Sequence, residues 1–81
     1  MSIMRKNSST DIKNVEIEKE PVELYKILKF ENLVGSGGEA KFVITQGFVL
    51  VNSKKETRKR KKIFSGDIIE YHHERIRVVV Q

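Results

Sequence analysis

The chain has 81 residues, 38% of them apolar, and no cysteine. That is one small domain, able to bury only about 60% of the surface its unfolded form exposes, so a deep catalytic cleft with a lid is hard to fit, and disulfides, thiolate zinc sites and thiol nucleophiles are excluded. No apolar run approaches the ~18 residues of a membrane span, and the formal net charge of +5 makes a polyanion the natural partner of a soluble, cytoplasmic, monomeric protein.

In chain order, residues 1–13 are polar, with Ser8, Ser9 and Thr10 in a row, and lack the apolar stretch of a signal peptide. They read as a flexible tail, with the domain spanning 14–81. Asn14 to Glu20 alternates, with Val15 and Ile17 on one side, which predicts a half-buried strand. Pro21 suits a first helical turn, and Leu24, Ile27 and Leu28 fall at helical spacing, so the first helix is predicted to open at Pro21 and end near Glu31 or Asn32. Leu33 and Val34 are expected to plug the core.

Ser36-Gly37-Gly38-Glu39 matches a capping box, in which Ser36 bonds the N–H of Glu39 and Glu39 reaches back to Ser36. The second helix follows over about 37–46, with Ala40, Val43 and Ile44 inward and Gly47 as the residue that ends it. Phe48 to Val51 is β-prone, and Asn52-Ser53 turns the chain. Ile63 and Phe64 are apolar anchors, Ser65-Gly66-Asp67 a tight turn, Ile68 to Tyr71 a strand, His72 to Glu74 a hairpin connection and Arg75 to Val80 the last strand. Strand, helix, helix and then antiparallel strands make an α+β fold.

The charge is concentrated. Residues 1–20 and 21–52 each balance, whereas residues 53–62 carry Lys54, Lys55, Arg58, Lys59, Arg60, Lys61 and Lys62 against Glu56 alone. Such a patch is the electrostatic footprint of phosphate backbone. Read blandly, it is a solvated loop or a localisation signal. Gly37 and Gly38 would let a phosphate approach the second helix, whose N-terminus supplies donors and a favourable dipole, or they simply relieve a tight turn. Lys41 extends the patch, whereas Lys26 and Lys29 read as solubilising lysines.

Most of the six aromatic side chains fall beside core positions, with Phe64 and Tyr71 as the candidates for stacking on bases. His72-His73 has no third metal ligand nearby and adjacent hairpin residues point apart, so no metal or cofactor is expected. No nucleophile–base–acid set is visible, and the chain reads as non-enzymatic.

The run Leu24-x-x-x-Leu28, Leu33-Val34-x-Ser36-Gly37-Gly38-x-Ala40-Lys41, Gly47-x-Val49-x-Val51-Asn52 and Gly66-Asp67-x-Ile69 resembles the S4-like RNA-binding domain, the alpha-L motif of bacterial proteins. Together with Glu56-Thr57-Arg58-Lys59-Arg60-Lys61-Lys62-Ile63, it looks like the small stand-alone YbcJ/YaaA-type branch. The likeness spans about residues 22–80 and implies two packed helices followed by a small antiparallel sheet. It implies RNA contact at Ser36, Gly37, Gly38, Lys41, Asn52, Lys54, Arg58 and Arg60, to which the charge pattern adds Lys55, Lys59, Lys61 and Lys62. Many members have Arg where this chain has Gly37, and Asn-Gly where it has Asn52-Ser53, so the basic run is expected to supply the missing phosphate-binding charge.

The expected function is a module that grips structured RNA, ribosomal RNA included, by electrostatic capture and shape. A different class of reading is a protein-interaction adaptor that binds an acidic partner through the basic segment, or through strand addition at a sheet edge. Nonspecific DNA binding is a third.

Overall fold

The computed structural model describes residues 12–81. In chain order the elements are β1 (Lys13–Ile17), β2 (Val22–Glu23), α1 (Leu24–Phe30), α2 (Gly37–Thr45), β3 (Val49–Val51), β4 (Lys54–Lys55), β5 (Lys62–Ile63), β6 (Ile68–Tyr71) and β7 (Glu74–Val80). The tail expected at 1–13 lies outside the described residues except at its end, where Lys13 already belongs to β1.

Pro21 does not open the first helix. Its peptide bond with Glu20 is cis, and Val22 and Glu23 pair antiparallel with Ile63 and Lys62 instead. Helix α1 begins only at Leu24, burying Leu24, Ile27 and Leu28 on one stripe. It ends at Phe30 with Glu31 as its C-cap, and Asn32 reverses the chain at φ 58. Val34 is then buried, and Leu33 packs against the core, as the pattern predicted.

Helix α2 carries its cap as expected on one side. The Ser36 hydroxyl accepts from the Glu39 N–H at 3.1 Å. Glu39, however, reaches to the Gly35 N–H at 2.8 Å rather than to Ser36. Gly35 permits this, since a Cβ there would lie 3.2 Å from the same carboxylate oxygen. Ala40, Val43 and Ile44 are buried. Gly47 adopts φ 83, and the N–H groups of Gly47 and Phe48 bond back to the Ile44 and Val43 carbonyls, which closes the helix end.

The main sheet has the order β1-β7-β6-β3-β4. Two expectations need correcting here. The helices do not precede the sheet, because β1 and β2 come first, and the sheet is mixed, because β1 runs parallel to β7. The pairing of the chain's two ends follows from hydrophobic register: Val15 lies opposite Val78, and both are buried. A parallel pair requires a long crossover, and everything between β1 and β7 supplies it. The remaining pairs β3–β4, β3–β6 and β6–β7 are antiparallel.

Burial alternates along β3, β6 and the middle of β7. Val49 and Val51 of β3, Ile69 and Tyr71 of β6, and Ile76 and Val78 of β7 join the helix residues in one core. That core is almost entirely aliphatic. Phe30, Phe42, Phe48 and Phe64 are 63%, 58%, 59% and 47% exposed, against the expectation that most aromatics lie inside. Branched aliphatics pack between two short helices and a sheet without needing a flat ring, so the phenylalanines are left for the surface. Tyr71, read as a candidate for base stacking, is a core residue at 7% exposed.

Candidate nucleic-acid interface

The basic segment divides in two. Its first part is β4, where Lys55 lies opposite Leu50 and Lys54 opposite Val51. The connecting Asn52 and Ser53 have φ 52 and 71, the pair of left-handed residues that a tight two-residue hairpin demands. The Lys55 stem passes over Gly47, so close that a Cβ on Gly47 would meet its Cδ at 3.0 Å. Lys55 therefore sits beyond the end of the nine-residue α2, about 13 Å along the helix from its start.

The second part, residues 56–62, is fastened to α1. The first N–H groups of a helix have no partner within it, and Glu23 gives no side-chain cap. The loop supplies the acceptors: Leu24 N–H bonds to the Lys61 carbonyl at 2.9 Å, and Tyr25 N–H to the Lys59 carbonyl at 3.1 Å. A segment of concentrated like charge is thus held to α1 by its backbone.

Arg58, Arg60, Lys61 and Lys62 line one concavity of about 440 Å³. Arg60 joins it to the helices. Its guanidinium carbon stands 5.3 Å from the centroid of the Tyr25 ring, and Lys41 Nζ stands 4.7 Å from the same centroid. Cation–π attraction offsets part of the repulsion that two neighbouring cations would otherwise feel. Glu23 Oε1 accepts from Arg60 at 3.2 Å and lies 3.8 Å from Lys26 Nζ. Lys29 belongs to the same side, since a Cβ on Gly37 would lie 4.0 Å from its Cδ.

Arg58 carries its own counter-charge. Its Nε and second terminal nitrogen donate to the two Glu56 oxygens at 2.9 and 3.1 Å, and its backbone N–H donates to the same carboxylate at 2.9 Å. The side-chain hydrogen bond from Arg58 is the largest influence holding the Glu56 carboxyl well below the usual range, at about 2. The same bond pushes the Arg58 pKa upward. This planar fork fixes the guanidinium at the rim of the concavity and lowers its effective charge.

Lys41, Arg58, Arg60, Lys61 and Lys62 are thus brought together, while Lys54 and Lys55 stand apart. Lys59 is exposed, and its carbonyl serves α1. Ser36 caps α2, with Gly37 and Gly38 opening that helix. The Asn52 amide is engaged within the protein: Nδ2 donates to Asp67 Oδ1 at 3.0 Å, and Oδ1 accepts from the Ile68 N–H at 2.9 Å. Sequence reasoning missed Tyr25 and treated Lys29 as a plain solubilising residue. The available signal was their spacing of four, which puts both on one helix face.

Three comparisons agree with this architecture. The family model described as S4 domain matches residues 15–79. A Bacillus subtilis strain 168 protein named "Probable ribosome maturation protein RlbA" is 34% identical over 56 residues, covering 69% of this chain and 79% of that protein. An Escherichia coli K12 protein named "Putative RNA-binding protein YbcJ" is 41% identical over 58 residues, covering 72% of this chain and 83% of its own. The solution structure of E. coli YbcJ, described as having an alpha-L motif involved in RNA-binding, superimposes with a TM-score of 0.68 at 35% identity, covering 98% of this chain and 99% of that one. Backbone architecture, the capped second helix and these matches lead to one conclusion: the chain belongs to the S4 domain family.

Proposed function

We propose that the protein binds structured RNA, with its phosphate backbone seated in the concavity of Arg58, Arg60, Lys61 and Lys62 and against Lys41. The observation that carries this reading is the convergence of cations from α2 and from the 56–62 loop on the Tyr25 ring. Residues 41 and 60 are distant in sequence, so their meeting is a product of the fold. The names of the relatives, one an RNA-binding protein and one a ribosome maturation protein, support the same direction.

Shape and charge are the means of recognition. An A-form helix hides its base edges in a deep, narrow groove, so a compact cationic hollow reads backbone spacing. Gly37 and Gly38 at the start of α2, with Lys29 alongside, add backbone donors and one more cation. Lys54 and Lys55 on the β4 edge supply longer-range attraction. Asn52 acts by holding its turn. Ribosomal RNA is the ligand class we put forward, supported by the ribosome maturation named for one relative.

The adaptor reading by strand addition has little support at the β4 edge, which is two residues long and all lysine, a pattern that keeps sheet edges from pairing. The deciding experiment is anisotropy titration of an RNA hairpin against a DNA hairpin of the same stem at fixed salt. Preference for the RNA supports the proposal, and equal binding favours nonspecific DNA and RNA capture.

A further inference from the structure

One aromatic hollow lies outside the basic face. Phe48, Tyr71 and His72 line a depression of about 340 Å³ where β3 begins and the β6–β7 hairpin turns. Phe48 is 59% exposed, whereas Tyr71 is anchored in the core. The exposed His72 ring stands 4.2 Å from the Tyr71 ring, centroid to centroid, tilted by 57°. His72 has φ 58, and a non-glycine residue in that region is held there by its surroundings. Val49 pairs with Tyr71 and Tyr71 with Glu74, so the hairpin closure fixes where the His72 ring stands.

We propose that this hollow takes one unpaired nucleobase of an RNA whose backbone lies on the basic face. The inference rests on the functional reading above and names the form of RNA that suits the protein: a stem interrupted by an extruded base. Exposed aromatic rings stack on any base, because every base has a π face. Cations stand where the attached phosphates would run. Lys55 crosses Gly47, next to Phe48. The Glu56 N–H bonds to the Val49 carbonyl at 3.0 Å, so the chain beside Phe48 reaches Arg58, at the rim of the basic concavity, in two residues. Two residues of chain span at most about 7 Å. The strand that follows Phe48 is therefore bonded to the segment that leads into the phosphate-binding surface, a continuity that a nucleotide can follow. An apolar side chain from a protein partner would need the rings but not the adjoining cations.

The test compares a blunt RNA duplex with the same duplex carrying one bulged fluorescent purine analogue. The protein is expected to bind the bulged form roughly 10-fold more tightly and to quench the analogue on binding. Phe48→Ala is expected to abolish both the preference and the quenching while leaving blunt-duplex affinity unchanged. Phe48→Tyr is expected to retain both. Equal affinity of the protein for the two RNAs, or unchanged quenching in Phe48→Ala, overturns this proposal alone. Failure to bind either RNA overturns the functional reading and this proposal with it. Because Phe48 is largely exposed, its truncation leaves the core intact, and an unchanged urea midpoint verifies that.

Discussion

The guanidinium of Arg60 stands 5.3 Å from the centre of the Tyr25 ring. The contact joins the basic loop to α1, and Lys41 on α2 approaches the same ring. Tyr25 therefore sets the spacing of two cations while carrying no charge itself.

Replacing that ring tests its role. Each exposed cation–π contact is worth roughly 0.5–1 kcal/mol, so losing both by Tyr25→Leu is expected to weaken binding to an RNA hairpin by about 5- to 30-fold with net charge unchanged. Tyr25→Phe is expected to bind as the parent does. Anisotropy titration gives the affinities, and a parallel urea melt separates lost binding from lost folding.

Asn52 is expected to matter for stability rather than for RNA. Its amide closes a clasp with Asp67, whose other oxygen accepts from the Phe64 N–H at 2.8 Å, and Asn52 itself sits at φ 52. Asn52→Ala removes two hydrogen bonds, each with a net worth of about 0.5–1.5 kcal/mol, from a position where asparagine tolerates the left-handed backbone better than alanine. A loss of about 1–3 kcal/mol in urea unfolding is expected. RNA affinity of the folded fraction should be unchanged, and a large loss of affinity would assign Asn52 to the interface instead.

Much of the fold was legible in the sequence because local rules governed it. The Ser36 cap, the Gly47 stop, the Asn52-Ser53 turn and the β6–β7 hairpin each follow from side-chain chemistry within a few residues. What escaped was long-range. Nothing local in Lys13–Ile17 says that it lies parallel to β7, and nothing in Val22–Glu23 says that it pairs with β5 before α1 begins. At the site, composition located the cations but treated 54–62 as one patch. The division arises because the Lys59 and Lys61 carbonyls are drawn to α1 while Lys55 stays paired with β3. The Tyr25 meeting point was hidden for the same reason, since it needs three segments at once.

Acid should weaken the Arg58–Glu56 fork in a defined window. The Glu56 carboxyl lies at about 2 in the folded chain, against 4.5 as the ordinary value. A depressed folded value means that the unfolded chain binds the proton more readily, so this stabilisation is complete above about 4.5 and fades as pH falls toward 2. The stability difference between the parent and Glu56→Gln, measured by urea unfolding, is expected to be larger at pH 6 than at pH 3. A difference that stays constant across that range would remove the fork from the pH response.

The salt dependence of RNA binding bears most directly on the central reading. With about five phosphates engaged, log affinity should fall against log salt with a slope of roughly −3.5 to −4.5. In the triple variant Arg60→Ala, Lys61→Ala, Lys62→Ala the slope should become shallower by about 2 to 3, with weaker binding to every structured RNA tried. A folded triple variant that keeps both the parent's affinity and its slope would contradict RNA capture by this concavity.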